Sequence, residues 1–487
     1  MRLTEFHKMV IKALFVIAVC MVGCRFTDGF FALVIALLGF IFALQNKIGM
    51  TITCYVIPPC FAITNRVILG LSGNLVVSAK IGTLLFLFAA LMKRIDSRFV
   101  HPIPVGFLFL YLIVALISAP FGWFPMISYL KILNFAVFIL CLREVVRMMQ
   151  CNVKTLMQAR AVIMAFAIIM IAGSALTYFM PTIGYSMNFH IAELYGINLT
   201  AEDLKEAEGG RLFNGMTYHS QSLGGIAPLF TAWVLADMLF CEKYFSKLHM
   251  VLLAVAPVLL YGTRSRTAFV SIVAVMIVMA FCISKANLPT MVRSKVRIGF
   301  AAMVALVVVG AFFAEIQDNT ISRWLRKTED VRGDSRSLSE AITSSRSGAV
   351  ERNMSDFRRN PLLGMGFQVI EEHKLAYQAG AISLLSAPIE KGILPLMVLG
   401  ETGVLGAFVF AIFVIVYFRY CYKRRYLTSI AVMTAFLSAN MGEAYFFSPT
   451  AAGGLAWVVA GVGGFASDIL AERIKYSPDY KVPCSVA

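Results

Sequence analysis

The sequence predicts an all-α fold: a polytopic membrane helical bundle of about 14 transmembrane helices, with a long polar loop that contains an amphipathic helix. Three observations predict it. The 487-residue chain is 59% hydrophobic and only 14% charged, where a soluble domain carries about 25% charged residues. Its mean hydropathy is +0.79. Residues 316–391 are rich in charged and hydroxyl side chains and lie between two strongly apolar runs. Hydrocarbon cannot hold such a stretch, so it sits in water on one face.

A membrane span needs roughly 20 mostly apolar residues. Runs of this kind are expected at 9–24, 30–46, 50–65, 80–93, 103–119, 126–142 and 157–179, then at 221–241, 247–262, 267–284, 298–315, 392–418, 428–446 and 451–470. The start, "MRLTEFHKMVIKALFVIAVCMVGC", resembles a signal peptide. In a chain with so many later spans it reads as an uncleaved first helix. The third run is the weakest, because it contains Pro58 and Pro59 and leads into the amphipathic "NRVILGLSGNLVVSAK". The ten cysteines fall mostly in or beside apolar runs and read as buried thiols.

Charge sets the topology. With the N-terminus inside, the inner loops receive Lys93, Arg94 and Arg98, then Arg143, Arg147 and Lys154, then Arg293, Lys295 and Arg297, then Arg419, Lys423, Arg424 and Arg425. The positive-inside rule therefore accounts for most of the net charge of +16 without a nucleic-acid partner. It also places a second polar stretch, residues 181–220, on the outer face with 316–391. The chain divides into an N-terminal membrane bundle (1–180), a second membrane region with both polar stretches (181–470) and a basic cytoplasmic tail (471–487).

Three groups of outer-face residues go beyond what a membrane bundle requires. In "GGRLFNGMTYHSQSLGG", Arg211 precedes a helix opened by His219, Ser220, Gln221 and Ser222. Free N–H groups at such an end suit an anion, although an ordinary interfacial cap has the same composition. In "YGTRSRTAFV", Arg264, Ser265 and Arg266 fill a tight turn on the side poor in basic residues. Guanidinium groups match phosphate oxygens bidentately; the alternative is snorkelling to lipid headgroups.

The long loop is the third group. Residues 341–357 are expected to form an amphipathic helix on the membrane surface, with Ile342, Val350, Met354 and Phe357 on its apolar side. The string "NPLLGMGF" ends that helix. The loop's exit puts Glu390 and Lys391 at the membrane mouth, and Glu401 two to three turns inside the next span. An embedded carboxylate is functional or paired by default. His373 lies among charged neighbours and reads as solvated. Lys12, Lys131 and Glu443 are further embedded charges, and Glu443 lies near the outer end of its span, where it could face the same cavity. No metal-ligand spacing, P-loop or glycine-rich nucleotide fingerprint appears in the sequence.

Four strings, in order, resemble the O-antigen ligase and polymerase family of bacterial envelope glycan enzymes: "GRLFNGMTYHSQSLG", "TRSRTA", "NPLLGMGF" and "LGETGVLG". The likeness covers roughly residues 205–418. It implies a glycosyltransferase of the bacterial inner membrane, active at the periplasmic face without metal or cofactor, whose donor is a glycan on polyprenyl pyrophosphate. It further implies that Arg211 and Arg266 act on the pyrophosphate, assisted by Arg264, Ser265, Lys391 and Glu401. Ligases of the family carry a His-Asn pair before the last string, where this chain reads "APIEKGILPL". The reading therefore favours a polymerase of O-antigen or exopolysaccharide repeats, with Glu390 as base and His219 as a second catalytic candidate. A ligase acting on lipid A core or protein, and a flippase or transporter of lipid-linked glycans, are the alternatives. Expected partners are the lipid-linked glycan, the bilayer and other polysaccharide synthesis proteins such as a chain-length regulator.

Overall fold

The computed structural model describes residues 3–69, 72–92, 105–180, 213–217, 220–241, 247–263, 265–285, 294, 296–301, 347–371, 392–449 and 451–476. Regular structure among them is helical, apart from one isolated bridge between Thr64 and Thr217. The helices are α1 (Leu3–Phe26), α2 (Phe31–Leu44), α3 (Ile48–Phe61), α4 (Ser72–Met92), α5 (Val105–Ser118), α6 (Pro125–Met149) and α7 (Val153–Thr177). They continue with α8 (Ser220–Phe240), α9 (Lys247–Gly262), α10 (Arg266–Cys282), α11 (Ser347–Arg359), α12 (Leu394–Arg424), α13 (Leu427–Ala439) and α14 (residues 451–476). Six of these, α1, α6, α7, α8, α12 and α14, are long and apolar enough to cross a membrane, and shorter apolar helices fill in between them. The run expected at 298–315 lies outside the described residues beyond residue 301.

The helices are apolar on more than one face because lipid and core are both apolar solvents. On α1, Phe6, Val10, Ala13, Ile17, Cys20 and Cys24 are buried, while Ile11, Phe15, Val19 and Val22 face outward. Both sets repeat every three to four residues, the period of a helix. The run broken by two prolines is nonetheless a helix. Pro58 and Pro59 fall in the last turn of α3, so their missing N–H groups mark the end of the helix instead of breaking its middle. The amphipathic stretch after it is also largely helical, since α4 begins at Ser72 and hides Ser78 in the interior.

One continuous core runs from Phe6 to Leu470. Helix α14 lies at its centre, and every residue from 452 to 470 is buried. Its π-helical segment Val459–Gly464 carries Gly461, Gly463 and Gly464, whose missing side chains admit Leu142, Trp233 and Ser429. Small residues at such crossings let helices approach without a hydrophobic driving force. A buried polar cluster ties α7, α8, α9 and α14 together. The Arg160 guanidinium donates to both oxygens of Asp237 at 2.7–3.1 Å, Ser467 Oγ donates to Asp237 Oδ1 at 2.5 Å, and His249 Nε2 lies 2.8 Å from Oδ2.

The two ends of the bundle differ in chemistry. At one end Arg473 donates to the Gln150 carbonyl at 2.6 Å and Tyr426 to Glu472 at 3.0 Å, which gathers the basic segments near 143–154 and 419–425. At the opposite end Leu394 meets Asn440, Ser118 meets Glu401, and Ser128 meets Phe367. The described parts of the strings singled out in the sequence gather here, at the end away from those basic segments.

Candidate functional site

Two of the strings form a single structural unit. After α11, Asn360 Oδ1 accepts the Leu363 N–H at 3.2 Å, and the Asn360 carbonyl accepts the Gly364 N–H at 2.8 Å, closing a tight turn around Pro361. That turn is laid into a break in α12. Gly403, at φ 62° and ψ −165°, leaves the helix there. The groups freed by the break are taken up by the string. Val404 N–H donates to the Pro361 carbonyl at 2.9 Å and Leu405 N–H to that of Leu362 at 3.4 Å. In return Met365 N–H donates to the Gly400 carbonyl at 2.9 Å and Gly366 N–H to that of Glu401 at 3.1 Å. Irregular backbone is tolerated near a bilayer where its polar groups are paired in this way.

Glycine is required on both sides of the joint. Gly364 and Gly366 have φ of 71° and 98°. A Cβ on Gly364 would strike the backbone of Glu401 and Thr402, and one on Gly403 the backbone of Leu362 and Leu363.

The hairpin between α5 and α6 completes the joint. Ser118 Oγ bonds the carbonyls of Leu363 and Glu401, the latter at 2.8 Å. Trp123 N–H donates to the Met365 carbonyl at 3.1 Å, and its indole N–H to Asp356 at 3.1 Å. Phe367 is fully buried, takes a backbone bond from its N–H to Ser128 Oγ at 2.9 Å, and packs edge-on against Phe447 at 5.4 Å. Buried Lys131 donates to the Gln368 carbonyl at 2.8 Å. None of the α5–α6 contacts was expected; the only sequence signal was the charge of Lys131 inside an apolar run.

This geometry revises two expectations. Helix α11 begins at Ser347 among the described residues, and its most buried side chains are polar. Asn353 and Asp356 turn towards α12 and Trp123, while Val350, Met354 and Phe357 are half-buried. Glu401 stands two turns inside α12, as expected, but that helix is not continuous and breaks at Gly403. Its carbonyl accepts the hydroxyl of Ser118, the last residue of α5. The part of α12 beyond the break, residues 404–424, measures about 30 Å at about 1.5 Å per residue, the thickness of the hydrocarbon. With 1% exposure, Glu401 lies under the docked string, and its backbone carbonyl serves the joint.

The remaining strings meet beside this unit. Residues 213–217 are wedged between α3, α7 and α9. Asn65 N–H donates to the Met216 carbonyl at 2.8 Å, Met216 N–H to Ser174 Oγ at 3.0 Å, and Phe213 covers Gly262. Ser265 Oγ caps α10 by accepting the Ala268 N–H at 3.3 Å and lies 3.0 Å from Thr267 Oγ1. This accounts for Ser265 as a helix cap. Gly224 of α8 lies against it: a Cβ there would be 2.6 Å from that of Ser265. Arg266 is the first residue of α10 and is half-buried. The turn after α13 closes the group. Tyr445 Oη donates to the Gly225 carbonyl at 3.2 Å, Gly442 packs on Thr267, and Leu394 N–H donates to the Asn440 carbonyl at 3.0 Å. Of the residues expected at the site, Arg211, His219, Arg264, Glu390 and Lys391 lie outside the described residues.

The string at 265–267 and the broken helix with its docked turn are thus brought to one end of one bundle. Residues 249–411 match the O-antigen ligase family. The match supports the family resemblance and takes in three of the four strings, "TRSRTA", "NPLLGMGF" and "LGETGVLG"; it runs from α9 through α10 and α11 into α12. It contains Arg266 and the whole joint between 360–366 and 400–405. No curated protein matches the chain. The protein is an integral membrane protein built as a helical bundle, and a third of it is similar to the O-antigen ligase family.

Proposed function

We propose that this protein is a glycan polymerase of the bacterial envelope. It transfers an oligosaccharide or growing chain from polyprenyl pyrophosphate to a lipid-linked repeat unit, at the periplasmic face of the inner membrane. The observation that carries this reading is the position of Arg266. It opens α10 in the O-antigen ligase region, where α8, α10 and the turn after α13 meet, at the end of the bundle away from the basic loops. A fixed guanidinium at a helix N-terminus stabilises the charge that develops on a departing pyrophosphate. Such preorganised electrostatics dominate transfers of this kind. From the sequence, Arg211, Arg264 and Lys391 are further candidates to hold the donor. The acceptor hydroxyl then needs a base. His219 and Glu390 are the candidates from sequence.

The printed family description, O-antigen ligase, supports a second reading: transfer to lipid A core or to protein. The products in a deletion strain separate the two. Retention of single attached repeats with loss of long chains is expected for the polymerase; loss of all attached glycan identifies the ligase. In the same strain, Arg266→Ala is expected to insert at wild-type level and to lower chain extension by about 10²–10³-fold, the effect of removing one donor to a developing anion. Full extension by that variant would sink the donor site.

A further inference from the structure

We propose that Glu443 is the proton acceptor of this transfer, an assignment that rests on the reading above. Three strands of chain converge on the turn that carries it. Gly442 packs directly on Thr267, the neighbour of Arg266. Tyr445, two residues after Glu443, donates its hydroxyl to Gly225 near the start of α8. Asn440, three residues before it, receives the N–H of Leu394, where the long loop re-enters the bundle. The turn itself is rigid. Asn440 Oδ1 accepts the Tyr445 N–H at 2.7 Å, Asn440 Nδ2 donates to Phe436 at 2.8 Å, and Glu443 N–H donates to the Ala439 carbonyl at 3.3 Å. The backbone under Glu443 is therefore held by α13 and Asn440, while its side chain stays half-buried.

The other described carboxylates around this end have different situations. Glu401 is covered by the docked string, Asp356 accepts from Trp123, and Glu351 and Glu371 stand exposed on the loop. Glu443 alone among these adjoins a residue that packs on the Arg266 turn. A base must reach the acceptor hydroxyl, about one sugar ring away from the group that holds the departing pyrophosphate, and a residue so placed meets that requirement. In the step, the acceptor hydroxyl gives its proton to the Glu443 carboxylate and its oxygen bonds to the anomeric carbon. The bond from that carbon to the pyrophosphate oxygen breaks with its electron pair, and polyprenyl pyrophosphate leaves against Arg266. The proton passes from Glu443 to water before the next cycle.

The test uses the purified full-length protein and, as donor, a synthetic polyprenyl pyrophosphate oligosaccharide of the repeat that accumulates in the deletion strain. Glu443→Gln is expected to lose about 10²–10⁴-fold in kcat, the contribution of a general base. Its donor KM and thermal midpoint should stay at the wild-type values. The acidic limb of the kcat profile should vanish in Glu443→Gln and persist in Glu390→Gln. Glu443→Asp, which keeps the carboxylate, should retain the limb and part of the turnover. Wild-type kcat in Glu443→Gln, or a limb lost in Glu390→Gln instead, overturns the assignment alone. An inactive wild-type protein overturns the parent reading along with it.

Discussion

At the residue scale, the account turns on a few positions where backbone geometry decides the side chain. Gly403 has φ 62° and ψ −165°, a region that is essentially glycine-only and costs another residue about 1–3 kcal/mol. Added steric contact with Leu362 raises that cost. Gly403→Ala is therefore expected to lower the thermal midpoint of the detergent-solubilised protein by several degrees. Gly106→Ala in α5, where a Cβ meets nothing within 4 Å, should leave the midpoint unchanged or raise it slightly. Equal midpoints for the two variants would show that the break in α12 tolerates a side chain. Single residues were also where the sequence was most and least informative. Arg266 stood out because an arginine between two apolar runs, on the side poor in basic residues, has a cost visible without coordinates. Ser118 and Ser128 did not, because a small hydroxyl near a helix end is compatible with any membrane helix. Only the fold shows that they bond the long loop more than 230 residues later.

At the element scale, the strings "NPLLGMGF" and "LGETGVLG" were each legible as a turn and a helix entry, but not as partners. Their joint is made of backbone hydrogen bonds, which leave no side-chain pattern to read beyond the glycines that permit close approach. Helix α11 was anticipated from its period. Its burial of Asn353 and Asp356 was not, because polar residues were assigned to water and here they meet α12 and Trp123. The element's anchor is Phe367, fully buried against Phe447 and Tyr111. Phe367→Ala should remove about 3–5 kcal/mol of packing, as for other buried aromatic truncations. The expected result is faster hydrogen exchange and proteolysis across residues 347–371, with α13 and α14 still protected. Unchanged exchange in that segment would mean that its docking does not depend on the aromatic anchor.

At the scale of the whole molecule, the bundle is locked at one end and chemically equipped at the other. The cluster around Asp237 joins α7, α8, α9 and α14, and Arg160 also lies 4.2 Å from the ring of Phe6 on α1. Asp237→Ala leaves a buried guanidinium without its carboxylate, a loss of about 3–5 kcal/mol. Yield and thermal midpoint are expected to fall, while turnover per folded molecule stays at the wild-type value. A fall in turnover with an unchanged midpoint would give the cluster a part in the chemistry instead. The all-helical membrane bundle could be read from composition because the bilayer imposes it. The convergence of residues 213–217, 225, 265–267, 394 and 440–445 could not. Those contacts join segments far apart in the chain through glycines and main-chain carbonyls.

The most direct measurement is transfer by the purified protein in detergent, using a polyprenyl-pyrophosphate-linked oligosaccharide as donor and a lipid-linked repeat as acceptor. Chain extension with release of polyprenyl pyrophosphate is the predicted result, with loss of both in Arg266→Ala. Absence of transfer by the wild-type protein, or undiminished extension by Arg266→Ala, would contradict the account.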